Sequence, residues 1–228
     1  ARLLNQRLRP ARKFRPGTVW GTFRLFSEFN RVFVEDPAGE TPEVPPVKAV
    51  PESAKTVTGA TIKWYIRDSF IDYVASGQGT RAENGATPDP PSGPKNLTYS
   101  YNFPYDAGAP SWTRPGDGGE TENTLIRGTG TVGFKYCANT INFTVSDPEV
   151  EIDGDEASRI IFRVNGTDGT AFPDQRAVTV KLLPSLAEKR EVTDNGDGTS
   201  TVTYTKIPGF VPTEGTGLFA DLYPGYST

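Results

Sequence analysis

From residue 57 onward, short apolar runs alternate with polar positions every second residue, and Gly and Pro separate the runs. That period of two predicts strands. Leu97 to Phe103 puts Tyr99, Tyr101 and Phe103 on one side, and Thr140 to Val145 does the same with Ile141, Phe143 and Val145. Leu125 to Phe134 reads as one Gly- and Thr-rich strand. Asp147-Pro148 breaks the strand before it, and Val150 and Ile152 continue into another. Arg159 to Val164 and Ala177 to Leu183 read as two more. Glu191 to Thr193 and Thr201 to Tyr204 flank Asp194-Asn195-Gly196-Asp197-Gly198, a hairpin turn. The period lengthens between Ile62 and Val74. There Ile62, Ile66, Phe70 and Tyr73 or Val74 share a helical face, which predicts one amphipathic helix ended by Gly77 and Gly79. A second short helix is predicted from a Thr213 cap toward Tyr223. The sum is a mainly β fold over residues 57–228, an antiparallel sandwich-like domain with two short helices.

Residues 1–56 follow a different pattern. The first sixteen residues carry Arg2, Arg7, Arg9, Arg12, Lys13 and Arg15 and no acid. Trp20, Phe23, Phe26, Phe29 and Phe33 then recur every three or four positions. Such a stripe either packs on its own domain or anchors a neighbouring subunit, where aromatics dominate contacts. Pro37, Pro42, Pro45, Pro46 and Pro51 keep residues 36–56 extended. This part is read as a basic and aromatic N-terminal arm with a Pro-rich linker. Its candidate partner-binding residues are the six basic side chains above with Trp20, Phe23 and Phe26. The partners are other protein subunits, reached through residues 1–35, and the chain is expected to be oligomeric or part of a larger assembly.

Composition narrows the chemistry. The 228 residues include no His, no Met and one Cys. The commonest general base and metal ligand is therefore missing, together with every Ser/His/Asp or Cys/His arrangement and every internal disulfide. A net charge of −4 argues against general nucleic-acid binding. No apolar run is long enough to span a membrane, and no secretory h-region is visible. The densest acidic run, Asp147, Glu149, Glu151, Asp153, Asp155 and Glu156, could line a calcium site or form a glycosidase pair. It is read instead as the solvated face of an edge strand. Asp194 to Gly198 begins like a calcium loop, but Thr205 stands where an EF-hand needs Glu. No catalytic residue and no metal site is assigned. A carboxylate-based hydrolase lacks a convincing acid and base pair, so the chain is read as non-enzymatic.

Ordered blocks after residue 57 resemble the HtaA domain family, haem-acquisition domains of the actinobacterial cell envelope. They are Gly59 to Trp64 with Ser69 to Val74, Gly85-Ala86, Gly130 to Phe134, Ile141 to Pro148, and Thr213-Glu214-Gly215 with Phe219 and Tyr223-Pro224-Gly225. Together they span about residues 57–226. The resemblance implies that Tyr73 stands where the family has its axial haem ligand. It also implies that Cys137 replaces the histidine that supports that tyrosine, and that Tyr136 replaces the preceding Gly. Haem held at Tyr73, with Tyr136 and Cys137 nearby, is thus one implied function. The other is a structural or interaction protein without a cofactor, in an external assembly: the actinobacterial surface, or the virion of a phage of such hosts.

Overall fold

The computed structural model describes residues 44–118, 121–137, 141–166 and 174–212, with Gly215 and Leu218. The basic residues of the arm, the aromatic stripe and most of the predicted C-terminal helix lie outside the described residues.

Among the described residues, fourteen strands and two α-helices follow one another. They are β1 (Lys55–Thr56), β2 (Thr61–Tyr65), α1 (Asp68–Ala75), β3 (Gly79–Glu83), β4 (Thr87–Pro88), β5 (Ser100–Pro104), β6 (Trp112–Pro115), β7 (Glu122–Arg127) and β8 (Thr131–Tyr136). Next come β9 (Ile141–Asp153), α2 (Gly154–Ala157), β10 (Arg159–Asn165), β11 (Gln175–Leu182), β12 (Lys189–Asp194), β13 (Ser200–Thr205) and β14 (Gly209–Phe210). A nine-stranded sheet runs β1-β6-β7-β9-β10-β11-β14, with β8 also on β9 and β3 on β8. A three-stranded sheet, β2-β5-β4, and α1 pack on its inner face. Every strand pair is antiparallel. The layers meet through aromatics: Trp64 lies 4.9 Å from Phe162, Phe103 lies 5.6 Å from Phe162, and Phe134 stacks on Phe143 at 4.9 Å. Offset and edge-on ring pairs of this kind stabilise a core beyond their buried area.

The predicted helix over Ile62–Val74 is half strand. Residues 61–65 alternate, with Ile62 and Trp64 buried and Lys63 and Tyr65 exposed. Ile62 pairs with Phe103, and Trp64 with Tyr101. Ile62 and Ile66 belong to a period of two as well as to a period near four, so only tertiary pairing separates the readings. The helix begins at Asp68, whose carboxylate suits the first turn, and it buries Phe70, Ile71 and Val74. It ends at Ser76, whose N–H bonds the Tyr73 carbonyl, while the Gly77 N–H bonds the Val74 carbonyl.

Leu125 to Phe134 is two strands, not one. β7 and β8 lie end to end along the same side of β9, interrupted at Gly128–Gly130. Opposite this break, β9 carries its own irregularity rather than ending at Pro148. Asp147 has a φ of +50°, and the β10 register slips between Ile161, which faces Glu149, and Arg163, which faces Ser146. Gly128 N–H bonds the Pro148 carbonyl, and Asp147 N–H bonds the Gly130 carbonyl, so the two breaks lock together. A bulge changes which parity faces the core. Before it, Ile141, Phe143 and Val145 point inward; after it, Ile152 does.

The bulge therefore sends Glu149, Glu151 and Asp153 to the outer face. The expectation of a wet edge strand fails there. β9 is interior to the sheet, between β7 or β8 and β10, and Glu151 is only 1% exposed. The hairpin expectation at Asp194–Gly198 holds, since β12 and β13 pair from Lys189 with Thr205 to Asp194 with Ser200.

Candidate functional site

Tyr73 sits in the last turn of α1, and Tyr136 ends β8. The two rings approach to 4.2 Å between centroids at an interplanar angle of 37°. The approach has a backbone cause. Gly77 follows the helix cap, and a Cβ there would lie 2.5 Å from Tyr136 Cδ2. Glycine at that position lets the Tyr136 ring lie flat over the chain and against Tyr73. Both rings are half-buried. Ser76 Oγ donates to the Tyr73 carbonyl at 2.7 Å, which fixes the helix end beneath them.

Cys137 is exposed and has a φ of +44° in the turn after β8. Its side chain hydrogen-bonds with the Tyr136 hydroxyl and holds that phenol above its ordinary pKa, and the Tyr73 hydroxyl adds to the shift. Neighbouring groups that ionise to anions make the Tyr136 phenolate costlier. The structure thus brings Tyr73, Tyr136 and Cys137 together. The turn carries Cys137 outward, to the exposed surface.

Haem at Tyr73 would require an open side of that phenol and a donor or cation to keep it ionised. The Tyr136 ring packs against the Tyr73 ring, the Cys137 side chain raises the pKa of the Tyr136 phenol, and the chain has no histidine. No imidazole therefore stands beside Tyr73 to support a phenolate ligand. A shallow groove of about 280 Å³ lies nearby, lined by Ile71, Ala75, Gln78, Thr80, Pro91 and Leu97 among others. It opens on the side of α1 that carries Ile71 and Ala75, not the side that carries Tyr73. Among the described residues no group of three or more His, Cys, Asp or Glu side chains is placed to hold a metal.

Sequence reasoning missed the outer face of the large sheet. Glu149 Oε2 lies 3.3 Å from Arg127 Nε, and its Oε1 lies 2.6 Å from Arg176 Nε. Glu151 Oε2 lies 2.8 Å from Arg159 Nε and 3.2 Å from Lys48 Nζ. Asp153 lies 3.1 Å from the same Lys48 nitrogen and accepts a bond from Asn123. Arg127 is the register partner of Glu149, Arg159 of Glu151 and Asn123 of Asp153. The signal was present as cations at alternate positions of the flanking strands, but it is readable only once those strands are known to be neighbours. Lys48 comes from the Pro-rich segment.

Over residues 59–227 the chain matches a protein-family model described as Htaa. The C-terminal domain of HtaA from Corynebacterium glutamicum is similar in structure, with a TM-score of 0.53 and 19% identity over 75% of this chain and 92% of that one. The N-terminal domain from the same source has a TM-score of 0.46 and 15% identity at the same coverage. The first likeness concerns the fold. No curated protein sequence matches significantly. No described helix is long and apolar enough to cross a membrane. With its ordered blocks, its antiparallel layers and this family match over most of its length, the chain belongs to the HtaA domain family, a scaffold associated with haem acquisition at the actinobacterial cell surface.

Proposed function

We propose that this chain is a non-enzymatic interaction module of an external, cell-surface assembly. It uses the HtaA scaffold at residues 57–228 without a haem cofactor and docks on other protein subunits through residues 1–35. The observation that carries the cofactor-free reading is the crowding of the Tyr73 ring by Tyr136, whose ring centroid lies 4.2 Å away. Arg2, Arg7, Arg9, Arg12, Lys13 and Arg15 supply the charge for an acidic partner, and Trp20, Phe23 and Phe26 supply the anchors. The structural relative that shares the fold comes from a bacterium, so the bacterial surface is preferred to the virion setting.

Hemin titration tests the cofactor-free reading. The wild-type chain and a Cys137→Ser control leave the Soret spectrum that of hemin alone at stoichiometric protein. Tyr136→Gly combined with Cys137→His uncovers Tyr73 and gains a tyrosinate-type spectrum. A tyrosinate band in the wild-type chain that disappears in Tyr73→Phe would overturn this reading and establish haem binding through Tyr73 instead.

A further inference from the structure

The outer face of β7, β9 and β10 carries a second buried surface. Trp112, Leu125 and Ile161 are buried there at 3%, 0% and 0% exposure, yet none belongs to the main core cluster. Leu125 pairs with Glu151, and Ile161 with Glu149, so the apolar floor lies directly beside the carboxylates.

Residues 44–51 lie over this face. Their burial repeats every three residues: Pro45 is buried, Lys48 and Pro51 are half-buried, and the positions between are exposed. Three residues per turn is the period of a polyproline II helix, which the prolines at 45, 46 and 51 favour. One row of the segment therefore meets the sheet. The Pro45 carbonyl accepts a bond from Arg176 Nη1, and Lys48 bridges Glu151 and Asp153. Beyond it, β1 pairs with the edge strand β6, and Val57 N–H bonds the Ser111 carbonyl.

Among the described residues four buried side-chain atoms have no hydrogen-bond partner: Trp112 Nε1, Asn123 Oδ1 and, on two side chains that meet the segment, Glu151 Oε1 and Arg176 Nη2. The same two side chains hold Lys48 and Pro45. The segment thus satisfies one oxygen of a carboxylate that is 1% exposed and leaves the other unmet. A buried, unsatisfied carboxylate oxygen is costly, and a further donor relieves that cost. Lysine offers a point charge, whereas arginine offers a fork that can reach both oxygens.

We infer that this face is a docking groove for an extended, proline-containing segment with a central cation, and that residues 45–48 occupy it within the same chain. An incoming segment with arginine at the position of Lys48 is the better ligand. The groove and the tyrosine pair lie on opposite faces of the large sheet, so this inference stands apart from the haem question.

The test uses the full chain, its Lys48→Glu and Lys48→Ala variants, and a fluorescein-labelled peptide of residues 43–51 in Lys and Arg forms. Lys48 is a surface side chain outside the core, and circular dichroism confirms that each variant is folded. Elastase cleavage after Val47 and Ala49 speeds up in both variants relative to wild type, because a segment held on the sheet cannot enter a protease cleft. The labelled peptide binds the variants at least about tenfold tighter than wild type, whose groove is filled at high effective concentration. The Arg form binds tighter than the Lys form, and a Glu form does not bind. The inference is overturned if elastase cleavage at residues 47–49 is equally fast in wild type and both variants. It is also overturned if no peptide binds the opened variants, or if the Glu form binds as well as the Arg form.

Discussion

Glu151→Gln is the sharpest perturbation of this fold, because the sequence pattern and the structure give opposite expectations for it. On the pattern alone Glu151 is one acid in an alternating run on a wet strand, where a substitution changes stability by no more than about 0.5 kcal/mol. In the structure its carboxylate is buried, lies 2.8 Å from Arg159 Nε, and shares Lys48 with Asp153. Removing one partner of a buried ion pair costs about 3–5 kcal/mol, because the remaining charge stays desolvated. Here the stranded cations are 25% and 28% exposed, and Lys48 keeps Asp153, so water and the second acid recover part of that cost. A loss of about 2 kcal/mol remains once this discount is applied. For a domain of this size that corresponds to a fall in Tm of roughly 4–8 °C. Urea unfolding followed by tryptophan fluorescence measures it, with the exposed Glu156→Gln as the reference. If Glu151→Gln and Glu156→Gln lie within about 0.5 kcal/mol of each other, the ion-pair ladder contributes nothing and the reasoning is refuted.

Two further predictions follow from local geometry. Gly130→Ala places a Cβ 2.6 Å from the Ala86 backbone nitrogen at a φ of +122°, and it should destabilise by about 2 kcal/mol or more in the same urea assay, while Gly59→Ala, in open space, should not. The Asp89 carboxyl is held down to about 2 by its hydrogen bond from Lys63, with Ser100 and Asn102 adding to the effect. Because its folded value lies below the ordinary 3.8, its stabilisation is complete above that ordinary value and disappears as the pH falls through about 2. Thermal melts between pH 5 and 2 should therefore fall less steeply for Asp89→Asn than for wild type; parallel curves would show that Asp89 is not responsible.

The places where sequence reading succeeded share a property. Tyr99, Tyr101 and Phe103, and likewise Ile141, Phe143 and Val145, alternate without a competing period, and each set proves to be buried. The hairpin turn at Asp194–Gly198 carries its own backbone chemistry, so it is legible without its neighbours. The failures share a property too. Ile62 to Val74 fits two periods at once, and pairing with β5 decides the matter for its first half. Asp147-Pro148 looks like a stop, but β7, β8 and β10 supply partners on both sides of it, so the strand continues through a bulge.

The candidate site divides in the same way. The ordered blocks place Tyr73 beside Tyr136 and Cys137 before any coordinates, because they follow the order of a known scaffold. That the Tyr136 ring lies against Tyr73 depends on Gly77, which sits on a different element and leaves room only once α1 meets β8. By itself the sequence determined the β class, the inward faces of the unambiguous strands, and the absence of histidine chemistry, since composition and short-range period are local properties. Only the tertiary structure decided that Glu149, Glu151 and Asp153 are covered and paired. A one-residue bulge turns them to a face that Lys48, about a hundred residues earlier, comes back to meet, and a charge separated that far along the chain leaves no local pattern.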